Sequence, residues 1–516
     1  MLGRSRIFDR NWYGTPSSFK SQSIRFMKKI YFALFACLSI VIGHAQTEGS
    51  AFNLTGMGVS TPFARDYQTL GINPANLDIK GKFENKFTLG LGEFGMSLYS
   101  EVLSKSELRQ NLFRENIRDF SRTEQIEFAS EFANSDNTLD LKVTGFGFSM
   151  STNKAGTFAF SIADRVNFYS SLNAEVSDIL WLGSTASYFD SLVVSLENGG
   201  YDTIPNLESL DQATYDKVVA GITALQNAQS LSQLLEGSKF RFSWIREYNL
   251  GYGKTLWSND KWEINAGIGA KLLLGQALIL IDAQRESTQA ISALSPIFDI
   301  NYDEIAANNP SSLDASAPPL QPVGQGFGLD FGTSVVYKDK FILSASITDI
   351  GHMDWDGNLY TLNDLQLTNF ENFGLESVDF LEQIEQLSGS DALLEWQGET
   401  KVRTQLPTMA RFGLGYAGQA LRVGVDIIAP ANSSAVNTDE AVIAFGGDYQ
   451  LFRFLHLQAG IVKGGDYGTK IPMGFYCCFG RKGNYEFGIS SRDLFTFFRD
   501  EQPTVSLAAG FMRFRF

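Results

Sequence analysis

Lys261-Trp262-Glu263-Ile264-Asn265-Ala266-Gly267-Ile268-Gly269-Ala270-Lys271-Leu272 alternates without a break. Trp262, Ile264, Ala266, Ile268, Ala270, Leu272 and then Leu274 fall on one face, with Lys261, Glu263, Asn265, Gly267, Gly269 and Lys271 on the other. Successive side chains of a strand point to opposite faces, so a period of two marks a strand. One face is apolar and the other is Gly, Asn and charge.

The pattern recurs on both sides of this stretch. Phe327, Leu329, Phe331, Val335 and Tyr337 oppose Gly326, Gly328, Asp330, Gly332 and Ser334; Leu421, Val423, Val425 and Ile427 oppose Arg422, Gly424 and Asp426. A soluble sandwich alternates too, so length and connection decide. Candidate strands lie near 86–99, 139–152, 156–169, 240–257, 261–282, 324–337, 341–352, 405–417, 420–429, 440–450, 454–463, 471–480, 484–491 and 504–516. Several match the ~9–11 residues that cross a bilayer with tilt and exceed the ~5–6 usual in globular strands. Short turns at 153–155, 258–260, 338–340, 418–419, 451–453 and 481–483 alternate with longer loops. That sidedness predicts an all-β, transmembrane antiparallel barrel of about 14 strands, spanning 83–516.

Composition agrees. The 516 residues include 42 Phe, 18 Tyr and 48 Gly but only three His and three Cys, and the net charge is −15. Nucleic-acid binding lacks its basic patch. His-based catalysis, zinc chemistry and a disulfide framework lack their residues, so no enzyme activity, cofactor or metal is expected. Met27-Lys28-Lys29, an apolar run from Ile30 to Ile42 and Gly43-His44-Ala45 form an export signal cleaved after Ala45, with 1–26 an upstream extension. Its removal takes seven basic residues and one acidic, leaving −21. The expected location is the cell outer membrane.

Phe516, Phe514, Met512, Gly510 and Ala508 alternate with Arg515 and Arg513 in the last strand. This resembles the signal by which Gram-negative barrels are recognised, so Met512, Phe514 and Phe516 are expected to engage the barrel-assembly machinery. Gly56-Met57-Gly58-Val59-Ser60, Asp66 and Gly71-Ile72-Asn73-Pro74-Ala75-Asn76-Leu77 resemble the N-terminal region of FadL-like long-chain fatty-acid transport barrels. The resemblance implies a hatch inside a fourteen-stranded barrel, placed here at 46–82 with the motif Gly71, Asn73, Pro74 and Ala75. Asp349–Trp355, Leu406–Gly413 and Leu455–Gly460 look like strand motifs of a poorly characterised branch of that superfamily, to which PorV-type secretion proteins are related. No ligand-contacting residue matches position by position. The stretch 46–82 is Gly- and Thr-rich, and Pro74 fixes its own φ and extends Asn73. An extended periplasmic tail is the alternative to a hatch.

His456, between Leu455 and Leu457, is expected in the lumen as a hydrogen-bonded residue, and His352 at a loop edge. Cys477 and Cys478 should face opposite sides as small fillers. A turn at Gly418-Gln419 would set Arg411 directly opposite Asp426 as a lumen ion pair bracing the wall. Ser121-Arg122-Thr123-Glu124 is a capping box. Stripes at Tyr215, Val218, Val219, Ile222, Leu225 and at Val378, Phe380, Leu381, Ile384, Leu387 predict helices in the long loops. The function expected is passive transport or binding of hydrophobic small molecules. The alternative is a surface platform, PorV-like, that binds a protein partner through the helical loops.

Overall fold

The computed structural model describes residues 51–80, 86–104, 120–152, 154–207, 210–284, 287–300, 303–314, 316–372, 374–375, 387–388, 393–432, 434, 441–464, 468–480, 483–494 and 504–516. The export signal and the stripe at 378–384 lie outside them. Fourteen strands form the wall: β1 Phe87–Ser100, β2 Asn137–Thr152, β3 Gly156–Ser171, β4 Lys239–Ser258, β5 Trp262–Gln284, β6 Gly324–Tyr337 and β7 Phe341–Trp355. The circuit continues through β8 Met409–Ala417, β9 Leu421–Pro430, β10 Val442–Phe452, β11 Leu455–Lys463, β12 Met473–Phe479, β13 Tyr485–Ser491 and β14 Thr504–Arg515. Each pairs antiparallel with the next. β14 then pairs with β1, Thr88 opposite Arg515 and Tyr99 opposite Thr504. Among the described residues this closure leaves the wall without an edge strand, the condition for crossing hydrocarbon with strands.

The wall is turned inside out relative to a soluble protein. Leu250, Ile268, Leu272, Phe327, Leu414 and Phe445 are exposed on its outer surface. Lys271, Asp330, Glu247, Asp426, Asp448 and Arg513 are buried within. Aromatic rings gird the short-turn end: Trp262 lies 4.4 Å from Tyr337, Phe341 5.3 Å from Tyr416 and Phe454 5.8 Å from Phe479 between centroids. Arg246 and Asp164, an odd pair for an oily face, sit directly opposite each other and bond at 3.1 Å, with the Trp244 indole also donating to Asp164.

Two expectations change. Met512 and Phe516 do face outward, but Ala508 and Gly510 are buried inside rather than sharing their face. Phe511, itself 52% exposed, slips the alternation by one residue where the β1 ladder is interrupted at Gly92, whose φ is +67°. The stripe at 215–225 is not one helix. Val218–Ile222 is a strand in a small sheet with Ser191–Ser195, Tyr201–Pro205 and Asn369–Phe370, because β-branched Val218 pairs with Val194 and Ile222 with Ser191, contacts that no local pattern announces.

That sheet belongs to a cap with its own core. The Ser121 hydroxyl accepts from the Glu124 N–H and the Glu124 carboxylate accepts from the Ser121 N–H, capping helix Arg122–Phe132. Trp181, on helix Ala174–Leu182, stacks 5.2 Å from Phe128 and lies 5.1 Å from Phe132. The cluster continues onto Phe168, Phe240 and Phe242 of the long strands β3 and β4. Burial there pushes the Tyr188 phenol above its ordinary pKa; its hydroxyl donates to the Leu367 carbonyl at 2.8 Å.

Candidate functional site

Residues 51–80 hold only short turns: Phe52–Thr55, Asp66–Thr69 and Pro74–Asp78. Single turns are unstable alone because nucleation costs more than one hydrogen bond returns. The wall supplies the rest. Asn73 caps the third turn, its side-chain oxygen accepting from the Ala75 N–H at 3.0 Å, while Pro74 starts that turn, where no N–H is needed. The Asn73 amide donates at 3.2 Å to the Thr333 carbonyl and the Ser334 hydroxyl of β6. Gly332 and Gly267 lie against Asn73 and Pro74, where a Cβ would collide with the segment. Gly71 has φ +76° and Ala75 is fully buried.

Further ties run around the wall. The Asp426 carboxylate of β9 accepts from the Ser60 and Thr61 N–H groups at 2.7 and 2.8 Å. Asp78 accepts from the Thr157 hydroxyl of β3 and the Thr255 N–H of β4. Gln458 of β11 donates to the Asn53 carbonyl at 2.7 Å, and the Asn53 amide donates to Glu486 of β13 at 2.7 Å. Each neutral bond nets only about 0.5–1.5 kcal/mol against water, but their spread around the wall fixes one position.

The Arg411–Asp426 expectation needs correcting in register. The turn closes with the Gly418 N–H on the Leu421 carbonyl, so Asp426 faces Gly413 and Arg411 faces Ile428. Both side chains remain buried in the lumen, but they are not directly opposed, and Asp426 spends its hydrogen bonds on the N-terminal segment. His456 lies in the lumen, 2.9 Å from Asp448 and stacked 4.4 Å over Tyr476. Arg422 bonds the same Asp448 at 3.1 Å and the Tyr476 hydroxyl at 2.7 Å. His352 is on the outer face against the Phe327 ring. Cys477 and Cys478 are free, the latter 3.6 Å from Glu486.

Other lumen groups escaped the sequence reading. Lys271 of β5 sits 2.5 Å from Asp349 and 3.3 Å from Asp330, all three deeply buried. Arg165 bonds Glu247 at 2.7 Å across β3 and β4. The available signal was a charge among glycines on the polar face; the partners, set by cross-strand register, were not. Toward the loop end the lumen changes character. Leu273, Leu278, Met353, Trp355 and Leu406 form an apolar cluster with Ile291, Val323 and Leu359. A cavity of about 40 Å³ between the segment and β1–β4, lined by Tyr67, Glu93, Lys142 and Asn249, has room for about three waters. Among the described residues no group of His, Cys, Asp and Glu could hold a metal ion.

A family model described as a family of unknown function (DUF5723) matches residues 203–480. No curated protein matches. Solved structures that do include the TodX deltaS2S3 mutant monoaromatic hydrocarbon channel (11% identity, 91% of this chain and 99% of that one, TM-score 0.45), the Ralstonia pickettii toluene transporter TbuX (12%, 91% and 99%, 0.41) and a Pseudomonas aeruginosa FadL homologue (11%, 91% and 97%, 0.38). At these scores the architecture rests on the chain's own strand pairing.

Proposed function

The chain belongs to DUF5723, a family defined without a function, and from that premise we propose that it is an outer-membrane barrel that passes hydrophobic small molecules. The export signal ending at Ala45 would deliver it, and Met512, Phe514 and Phe516 would present it for assembly. Residues 46–82 act as the hatch, with Gly71, Asn73, Pro74 and Ala75 at its seat. The observation that carries the reading is the apolar mouth. A pore for ions lines its entrance with polar groups, whereas here Leu273, Met353, Trp355 and Leu406 are turned inward and almost fully buried. A lipophile passing inward beneath the cap would cross this oily layer before the polar, hatch-filled lumen. It then leaves through the wall or past a rearranged hatch.

The test uses full-length mature protein in lipopolysaccharide-containing vesicles and the fluorescent lipophile N-phenylnaphthylamine. Uptake should exceed that of protein-free vesicles, and Trp355→Asp should abolish the excess. Equal uptake with and without protein removes the transport reading.

A further inference from the structure

The wall closes where β14 meets β1, and the ladder is interrupted within that seam. Leu91 faces Met512 and Glu93 faces Gly510, but Gly92 and Phe511 between them do not register as a pair. Gly92 takes φ +67°, and both strands switch there from one alternation phase to the other. On the lumen side the interruption is flanked by two matched pairs. Gly90 of β1 opposes Arg513 of β14, and Glu93 of β1 opposes Gly510 of β14. Each pair joins a buried charge to a residue with no side chain, in opposite order.

The N-terminal segment fills both vacancies and answers both charges. The Tyr67 ring occupies the space over Gly90 and over Gly147 of β2, and the Phe52 ring that over Gly510. The Asp66 carboxylate bonds Arg513, whose guanidinium also lies 5.8 Å above the Tyr67 ring and 2.5 Å from Glu486 of β13. The Tyr67 hydroxyl donates to Glu93, and the Gln68 amide reaches both Glu93 oxygens at 3.1 Å. Three consecutive residues therefore hold the last strand through Asp66 and the first through Tyr67 and Gln68. Asp66 does so with φ +48°, a conformation uncommon outside glycine.

We infer that Asp66-Tyr67-Gln68 is an internal clasp that holds the β1–β14 seam closed, a role separate from blocking the lumen. Arg513 alternates in sequence with Met512 and Phe514, so the strand that presents its outer face to lipid presents its inner face to the clasp. The segment must be in the lumen for the seam to reach full strength, which links its insertion to completion of the barrel.

The test compares full mature chains carrying Cys477→Ser and Cys478→Ser. Asp66→Asn, Tyr67→Phe and Gln68→Ala together remove the clasp's polar bonds and keep the ring over Gly90. Asp426→Asn, which loosens the segment at β9 only, is the control. Folded and unfolded forms are separated on unheated detergent gels across a temperature series. The clasp variant should lose the folded band several degrees below the parent and the control, and a disulfide from Leu91→Cys and Met512→Cys across the seam should restore it. Unchanged melting, an equal shift in the control, or a shift that persists with the seam cross-linked would each overturn the clasp.

Discussion

The wall and the cap bury the same kinds of residue by opposite routes. The wall's Leu and Phe are exposed outward on strands whose polar groups point into the lumen, as Ile268 and Lys271 of β5 do. The cap's Trp181, Ile179, Leu234 and Phe189 turn inward on one another as in a soluble domain. The wall takes its stability from lipid and a closed ladder, the cap from side-chain packing. Damage to one should therefore leave the other largely standing.

The hardest blow to that contrast is Trp181→Ala. Loss of a fully buried Trp costs about 3–5 kcal/mol, so the cap should become protease-sensitive on intact cells while the folded band on unheated gels persists. A wall that falls with it would mean one shared core. Next comes a matched pair of substitutions. Ile268 lies partway down the outer face of β5, where Arg costs about 2–4 kcal/mol. Leu225, 69% exposed on the cap, should accept Arg within about 0.5 kcal/mol. Urea midpoints in lipid vesicles measure both, and equal losses would erase the distinction. The finest test is Ser121→Ala, which removes a capping hydroxyl at about 1 kcal/mol. Hydrogen exchange should quicken in Arg122–Phe132 and stay unchanged in β5.

Legibility in sequence divides along the same line. All fourteen wall strands could be placed because lipid outside and a polar lumen inside impose one rule on every residue, as at Trp262 to Lys271. The rule fails where backbone geometry intervenes. Phe511 and Gly92 slip the phase, and a turn set one residue later than Gly418-Gln419 moves Asp426 from Arg411 to Gly413. In the cap no outside rule exists. Val218–Ile222 fits a helical stripe about as well as a strand, and only its pairing with Ser191–Val194 decides. The lumen was half legible: Gly267 and Gly332 read as small residues on the polar face, but nothing local says that Pro74 or Asn73 will lie against them.

The outer-face pair of Arg246 and Asp164 has a consequence for membrane thickness. Arg246 and Trp257 are on the same strand, β4, with the exposed Trp257 indole one residue from the strand's short-turn end. Eleven residues at ~3.3 Å each, tilted ~45°, set them roughly 26 Å apart, close to the ~25 Å apolar band of such barrels. Ring and ion pair act as the two marks of a gauge. A thicker bilayer would draw the charges into hydrocarbon and a thinner one would lift the indole out, so the molecule is matched to one bilayer thickness and held against riding up or down within it.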